Sequence, residues 1–91
     1  MSLEEKFKAA KEKLLTLTEK PSNEIMLQLY SLYKQASKGD IEMEAPGMFD
    51  FVAKAKYNAW ERLKGMDQSE AMQSYIELVS KLTLGKEQSP E

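Results

Sequence analysis

Two tyrosines and a lysine occupy one short stretch, LYSLYKQASKGD at residues 29 to 40. Tyr30, Tyr33 and Lys34 are separated by three and four positions, so a helix would place them side by side. A phenol combines a flat apolar ring with a hydroxyl that needs a hydrogen-bond partner, and an ammonium group attracts an anion. The three residues therefore suit a ligand that carries a flat ring and a negative charge, although the same residues could also pack in a core.

A second lysine lies among apolar residues further along the chain. Counted around a helix from Phe51, Lys56 falls at about 140°, between Leu63 and Trp60 and inside the apolar sector. An isolated lysine in such a place commonly extends its stem so that the ammonium reaches water. Together with Lys34, however, it gives two lysines beside aromatic residues on separate helices. This pairing favours one site for a phosphate-sized anion next to an apolar trench.

The composition excludes most other chemistry. Cysteine and histidine are absent, so the chain has no disulfide, no thiol nucleophile, and neither the commonest general base nor the commonest transition-metal ligand. Acid–base work would fall to the 15 Asp and Glu residues, none of which stands out from a solvated face. We therefore expect no catalysis, no metal and no cofactor.

Charge and hydropathy indicate the compartment and the partners. Thirteen basic and 15 acidic residues give a net charge of −2, which leaves no basic field for nucleic acid. No run approaches the roughly 18 apolar residues of a membrane span, and the start MSLEEKF lacks the apolar region of a signal peptide. We expect a cytoplasmic protein that acts as a monomer.

Four amphipathic segments must position the residues that could bind a ligand. Apolar residues recur at helical spacing and strand alternation is absent, so the predicted class is all-α, with four packed helices. The predicted helices cover residues 3–18, 21–38, 51–65 and a fourth stretch that opens near Asp67 or Ser69 and runs to about residue 82, and a long loop with the turn dipeptide Pro46-Gly47 links the second to the third. We expect one domain, residues 1–86, followed by a polar tail, residues 87–91.

The predicted helix ends rest on a few residues with strong positional preferences. Pro21 fits the first position of helix 2, and Ser22 and Asn23 are capping candidates. Gly39 should end helix 2, and Asp50 should cap helix 3.

Helix 2 has a wide apolar sector. One arc fits an ordinary packing face: Ile25, Leu29, Leu32 and Ala36. A second arc carries the rings and the charge: Met26, Leu27, Tyr30, Tyr33 and Lys34. Together they span roughly 220°, about twice what a one-sided surface helix needs. The predicted water-facing side consists of Glu24, Gln28, Ser31 and Gln35. Either helix 2 is simply the most buried helix, or one of its faces is the floor of a groove.

Helix 1 carries charges of both signs. Its lysines and glutamates are Lys6, Lys8, Lys11 and Lys13 against Glu4, Glu5 and Glu12. Such a balance predicts a solvated surface. A transient contact with a membrane for ligand exchange is compatible with it.

Several spaced motifs resemble the acyl-CoA-binding protein family over about residues 7 to 82. MLQLYSLYKQASKGD is similar to the central signature of that family, a Tyr-x-x-Tyr-Lys-Gln-Ala core followed by Gly-Asp. PGMFDF and KAKYNAW resemble the loop exit and the third helix, and LKGM, EAM and YIELV continue in register with the fourth.

The resemblance implies an up-down-down-up four-helix bundle, with the long link between helices 2 and 3, that binds and transports long-chain fatty acyl-CoA esters without catalysis. It implies that Tyr30, Lys34 and Lys56 hold the 3′-phosphate of the nucleotide. By the same resemblance, Tyr33 and Tyr75 line the nucleotide and pantetheine part, and Met26 and Leu27 lie against the acyl chain in an apolar groove on helix 2. Six positions match those where the terminal helices pack together: Phe7, Leu14, Leu17, Ile76, Val79 and Leu82.

Three positions depart from the family pattern. Leu15 stands where many members carry a lysine near the nucleotide, and Ala45 replaces a basic residue that often precedes the Pro-Gly turn. Tyr57 replaces a frequent tryptophan in the third helix. The rival interpretation of the apolar faces is a helical interaction module that docks a partner helix, and that interpretation has no use for two lysines at one cleft.

Overall fold

The computed structural model describes residues 2–87, with side chains described for residues 2–83. Within this range the chain forms four α-helices and no strand: α1 (Leu3–Leu14), α2 (Asn23–Lys38), α3 (Phe51–Glu61) and α4 (Gln68–Glu87). The predicted all-α class with four helices is confirmed. Within the described residues, none of these helices has both the length and the apolar character needed to cross a bilayer.

Helix α1 begins at a capping box and ends earlier than predicted. The Ser2 hydroxyl accepts a hydrogen bond from the Glu5 backbone N–H, and the Glu5 carboxylate accepts one from the Ser2 N–H. The helix stops at Leu14, whereas the apolar spacing predicted a helix as far as residue 18. The next three backbone N–H groups donate to carbonyls three residues back, because the last turn tightens where the chain leaves the helix.

Helix α2 begins at a serine cap. The Ser22 side-chain oxygen accepts a hydrogen bond from the Ile25 N–H at 3.2 Å. Because this cap satisfies a free N–H of the first turn, the helix starts after Ser22, and the prediction that Pro21 takes the first helical position is wrong. Gly39 ends the helix with φ +86°, a conformation that glycine adopts without steric cost. That predicted end is confirmed.

The cap of helix α3 is also confirmed, but its predicted end is wrong. The Asp50 carboxylate accepts a hydrogen bond from the Ala53 N–H at 3.2 Å. The helix ends at Glu61 rather than Gly65, because several of the following N–H groups bond three residues back in successive turns. Gly65 then adopts φ +94°, which reverses the chain into α4.

Helix α4 is longer than predicted. The Asp67 carboxylate accepts a hydrogen bond from the Ser69 N–H at its start, and the helix continues to Glu87, past the predicted end near residue 82. The predicted polar tail therefore begins on the last helical residue, and residues 88–91 lie outside the described part of the chain.

Helix α4 organises the packing. Helices α1 and α2 each pack on α4, and α3 packs on α2. The buried core cluster draws residues from three helices: Phe7, Ala10, Leu29, Ala36, Ala71, Tyr75 and Val79. Because the backbones of α1 and α2 each approach α4 more closely than they approach each other, a cleft remains between them.

The predicted core is largely in place. Phe7 and Val79 are buried, and Leu14, Ile76 and Leu82 pack against the core cluster. Leu17 is partly buried in the turn after α1, since that helix ends before it.

The predicted water-facing side of helix 2 is wrong at two of its four positions. Glu24 and Gln28 are exposed, but Ser31 and Gln35 are only 4% and 0% exposed. The Ser31 hydroxyl donates to the Gln28 carbonyl at 3.0 Å, and the Gln35 amide contacts the α3–α4 turn. These polar side chains are buried because their hydrogen bonds are satisfied inside the protein.

Candidate functional site

Two ammonium groups from different helices meet at one phenol ring. The Lys34 Nζ lies 5.8 Å from the centroid of the Tyr30 ring, and the Lys56 Nζ lies 5.3 Å from the same centroid. Both distances allow a cation–π interaction, which partly offsets the repulsion between two positive charges. Tyr30, Lys34 and Lys56, the headgroup cluster, therefore present two cations and a hydroxyl that suit a phosphate.

A polar network around the buried side chains of Gln35 and Trp60 joins the helix ends beside the headgroup cluster. The Gln35 amide donates to the Asp40 carboxylate at 2.9 Å and to the Met66 carbonyl at 2.8 Å. The Trp60 indole N–H donates to the Gln35 side-chain oxygen at 3.1 Å and to the Gly39 carbonyl at 2.9 Å. This network ties the C-terminal end of α2 to α3 and to the α3–α4 turn.

The same network sets two further properties of the site. The Asp40 carboxylate accepts hydrogen bonds from the Gly65 backbone N–H at 2.8 Å and from Gln35, and these bonds lower the pKa of Asp40 below its ordinary value. The Trp60 ring lies 5.7 Å from the Lys34 Nζ. The network thus positions the indole against which the Lys34 ammonium rests.

A first cleft of about 420 Å³ lies between α1 and α2, with α4 at its base. Tyr33 and Tyr75 line it, and their ring centroids are 6.3 Å apart. The Phe7 ring packs against both, stacked on Tyr33 at 5.8 Å and edge-on to Tyr75 at 5.1 Å. Burial raises the pKa of the Tyr75 hydroxyl. The α1–α2 cleft is therefore floored by aromatic rings that are suited to a flat or apolar group.

A second cleft of about 670 Å³ lies between α2 and α3. Leu27, Phe51 and Val52 give it an apolar wall, and Lys56 stands on the same wall. Met26 and Tyr30 line both this α2–α3 cleft and the α1–α2 cleft. The two clefts therefore meet at these two residues on α2.

The predicted site residues are distributed over three neighbouring clefts. Met26, Tyr30, Tyr33 and Tyr75 line the α1–α2 cleft, whereas Met26, Leu27, Tyr30 and Lys56 line the α2–α3 cleft. Lys34 lines a third cleft with Trp60 and Asp40, and its ammonium reaches Tyr30 from that side. Tyr75 is only 4% exposed and belongs to the core cluster, so the base of the α1–α2 cleft is also core.

Some residues at the site escaped the sequence reasoning. Lys11, which the charge balance of helix 1 placed on a solvated surface, is half-buried in the α1–α2 cleft, where its ammonium donates to the Tyr33 hydroxyl at 3.2 Å. Its signal was the helical spacing from Phe7, four residues earlier on the packed face. Gln35 and Asp40 lie within the signature motif, but the sequence did not indicate their structural roles, because Trp60, Gly65 and Met66, to which they bond, are 25 to 31 residues away.

Within the described residues, no group of carboxylates could hold a metal ion. The clefts present ammonium groups, phenols and apolar walls, which are groups suited to binding and orienting a ligand. It matches an amphiphile that has an anionic end and a long apolar part.

Comparison with known proteins places this arrangement in a family. The family model described as "Acyl CoA binding protein" matches residues 4–79. Acyl-CoA-binding domain-containing protein 6 of Arabidopsis thaliana is 48% identical over 82 residues, which cover 90% of this chain and 89% of that protein. Enoyl-CoA delta isomerase 2 of Rattus norvegicus is 44% identical over 85 residues, 93% of this chain but only 22% of that protein.

A solved structure extends the likeness to the whole fold. The crystal structure of Oryza sativa acyl-CoA-binding protein 2 superimposes with a TM-score of 0.93 at 38% identity, covering 99% of this chain and 100% of that chain. The motifs, the four helices and the matched length agree. The chain belongs to the acyl-CoA-binding protein family.

Proposed function

We propose that this protein binds and transports long-chain fatty acyl-CoA esters without chemical change, with the 3′-phosphate of the nucleotide held by Tyr30, Lys34 and Lys56. The observation that carries the proposal is the meeting of two ammonium groups from α2 and α3 at one phenol ring. A phosphate dianion relieves the repulsion between the two cations and accepts charge-assisted hydrogen bonds from them. The names of the relatives support the same ligand class.

The rest of the ligand is assigned to the two clefts. The acyl chain lies in the apolar α2–α3 cleft against Met26 and Leu27. Phe51 and Val52 line the same cleft, so the acyl chain contacts them as well. The nucleotide and pantetheine part lies in the α1–α2 cleft, where Tyr33 and the partly accessible edge of Tyr75 form the floor. Both clefts fall within the roughly 300–1,000 Å³ usual for small-molecule sites.

A binding role fits the chain better than catalysis. A thioester is cleaved by a nucleophile, most readily one activated by a general base, and the chain contains neither cysteine nor histidine. The proposal is therefore a carrier that acts as a cytoplasmic monomer and leaves the thioester intact. Docking of a partner helix is less favoured, because apolar helix-binding grooves do not need two converging ammonium groups.

Exchange of the ligand at a membrane is the second part of the proposal. Met48 and Phe49 are 71% and 84% exposed just before α3, and they extend the apolar surface beyond Phe51 at the mouth of the α2–α3 cleft. Lys20 and Lys56 line that mouth, so the edge is complementary to a bilayer with anionic headgroups. Asp50, the residue after Phe49, is engaged in capping α3, and the other acidic residues of this loop, Asp40, Glu42 and Glu44, lie at least four residues before Met48.

Calorimetric titration of the chain with palmitoyl-CoA, free CoA and palmitate tests the proposed ligand. We expect tight binding of palmitoyl-CoA and much weaker binding of either half alone, because the headgroup cluster and the apolar cleft contribute together. Strong palmitate binding with no response to CoA would overturn the assignment of the headgroup cluster. No binding of any of the three would favour the partner-helix alternative.

A further inference from the structure

The α1–α2 cleft contains a cation that the proposed phosphate site does not use. Lys11 is half-buried on the α1 side of this cleft. Its ammonium donates a hydrogen bond to the Tyr33 hydroxyl at 3.2 Å and lies 4.6 Å from the centroid of the Tyr33 ring. The other lysines of the same helix, Lys6, Lys8 and Lys13, are exposed. Lys11 is thus held by the aromatic floor of the cleft instead of extending into water.

The Lys11 ammonium makes the part of the cleft around the Tyr33 hydroxyl electropositive, and Lys11 acts on this hydroxyl through both its hydrogen bond and its charge. They lower the pKa of the Tyr33 hydroxyl, with smaller contributions from Lys34 and Lys38 and against the opposing effect of burial. Lys8 and Glu12 also line the cleft, but both are exposed. A phenol is a weak partner for an ammonium group, and an anion that entered the cleft would bind it more strongly.

We infer that Lys11 and Tyr33 form a second anion site, which binds the diphosphate bridge of the ligand. The inference rests on the proposed function, in which the headgroup cluster takes the 3′-phosphate. A CoA ester carries two separate anionic groups, the 3′-phosphate on the ribose and the diphosphate that leads from its 5′ carbon to pantetheine. Tyr30 and Tyr33 are one helical turn apart on α2, about 5–6 Å between their Cβ atoms. The two anionic groups, which one ribose separates, would therefore meet partners on adjacent turns of the same helix.

The second anion site would compensate for the absence of a lysine at position 15. Leu15 is 84% exposed and stands at the mouth of the same cleft, where it supplies no charge. Leu15 directly follows the end of α1, and Lys11 lies four residues earlier in its last turn, so both line the same side of the cleft. In this chain Lys11 supplies the cation for the diphosphate, and Leu15 makes the mouth of the cleft apolar.

The test compares three ligands on the full chain and on variants. Palmitoyl-CoA carries both anionic groups, palmitoyl-dephospho-CoA carries only the diphosphate, and palmitoyl-pantetheine carries neither. We expect Lys11→Met to weaken the first two by about tenfold or more and to leave the third unchanged. Lys34→Met should weaken palmitoyl-CoA alone. Lys13→Met, an exposed lysine on the same helix, is the matched control and should change nothing.

The outcomes separate this inference from the function on which it rests. If the unmodified chain fails to bind palmitoyl-CoA, the proposed function is wrong. If it binds but Lys11→Met has unchanged affinity, or loses affinity for palmitoyl-CoA and not for the dephospho ester, the diphosphate site is wrong. Equal weakening for all three ligands would show that Lys11 only supports the cleft wall. Restored binding of both nucleotide esters when Leu15→Lys is added to Lys11→Met would support the electrostatic role.

Discussion

The Tyr30 phenol is the residue around which the proposed phosphate site is built. Its ring lies within cation–π range of the Lys34 and Lys56 ammonium groups, so one side chain contacts both cations. In the proposed function this shared contact holds the two lysines in place for the phosphate, which lowers the ordering cost of binding. The hydroxyl of Tyr30 adds a neutral donor to the two charged ones.

Removing either ammonium of the headgroup cluster should weaken the ligand selectively. We predict that Lys34→Ala and Lys56→Ala each cost about 1.5–3 kcal/mol of affinity for palmitoyl-CoA, since each loses a hydrogen bond between charged groups. Titration calorimetry measures the loss, and the fluorescence of Trp60, near the Lys34 ammonium, gives a second readout. Lys6→Ala, exposed on α1, should have no effect.

The comparison with dephospho esters makes this prediction specific. Without the 3′-phosphate the two lysines have lost their partner, so the variants and the unmodified chain should bind palmitoyl-dephospho-CoA equally. The same loss for both ligands would mean that the lysines contact another part of the molecule.

At the scale of the elements, the site depends on where α2 ends relative to α3 and α4. The hydrogen-bond network of Gln35, Asp40 and Trp60 joins these ends. It leaves little freedom at the C-terminal end of α2, from which Lys34 projects. The positions of the cations are therefore set by hydrogen bonds between elements as well as by apolar packing.

A change at the centre of this network should destabilise the fold. Gln35→Glu replaces the amide donor with an acceptor facing the Asp40 carboxylate and the Met66 carbonyl. We predict a loss of about 1–3 kcal/mol in the free energy of unfolding at pH 7, because a carboxylate would be buried at position 35 while the Asp40 carboxylate and the Met66 carbonyl lose their donor. Urea denaturation measures it. Gln28→Glu, exposed on the same helix, is the control, and an equal effect in both variants would contradict the role of the network.

The hydrogen bonds to Asp40 should make stability depend on acid pH. Its pKa in the folded state is lowered from 3.8 by the Gly65 N–H and by Gln35, so its stabilising contribution is complete above the ordinary pKa. It is lost as the pH falls from about 4 through the lower folded-state pKa. We predict that Asp40→Asn is less stable than the unmodified chain at pH 6 and that the difference shrinks below pH 4.

Urea midpoints measured from pH 2 to pH 7 check the Asp40 prediction. Glu42→Gln, a nearby exposed carboxyl replacement, should leave the pH profile unchanged. A constant difference between Asp40→Asn and the unmodified chain at all pH values would show that the titration of Asp40 is not linked to folding.

At the scale of the whole molecule, the packing order creates the binding surface. Helices α1 and α2 both pack on α4, and α3 packs on α2, so α2 has a cleft on either side. A chain of 91 residues buries a limited share of its surface. The wide apolar sector of α2 is thus divided between the core and the two clefts.

Affinity should rise with acyl chain length until the apolar cleft is full. Each buried methylene contributes about 0.8 kcal/mol, which is roughly fourfold in affinity per carbon. We predict this slope for a series of saturated acyl-CoA esters titrated into the protein, followed by a plateau when the α2–α3 cleft of about 670 Å³ is filled. An affinity that is the same for short and long chains would place the acyl chain outside the cleft.

The apolar edge before α3 should govern contact with membranes. We predict that Phe49→Ser lowers the fraction of protein that sediments with phosphatidylcholine–phosphatidylserine vesicles, because the exposed ring enters the interface. Its affinity for palmitoyl-CoA in solution should not change, because Phe49 is not among the residues that line the α2–α3 cleft. Thr16→Ser, exposed at the end of α1, is the control. Vesicle binding that is equal in both variants would contradict the proposed membrane contact.

Much of the fold followed from local patterns in the sequence. Helical spacing determined the four helices, and Ser22, Gly39 and Asp50 determined ends that the structure confirms, because caps and stops act through bonds within one turn. Tyr30, Tyr33 and Lys34 could be grouped for the same reason, since all three lie within two turns of one helix.

Tertiary structure alone decided which distant residues meet. The contact of Lys56 with Tyr30 depends on how α3 packs against α2, and the burial of Gln35 depends on partners 25 and 31 residues away. Lys11 was placed on a solvated surface by its charged neighbours, yet the cleft between α1 and α2 holds it against Tyr33. Charge balance and spacing describe a helix by itself, whereas burial is a property of the surface that packs against it.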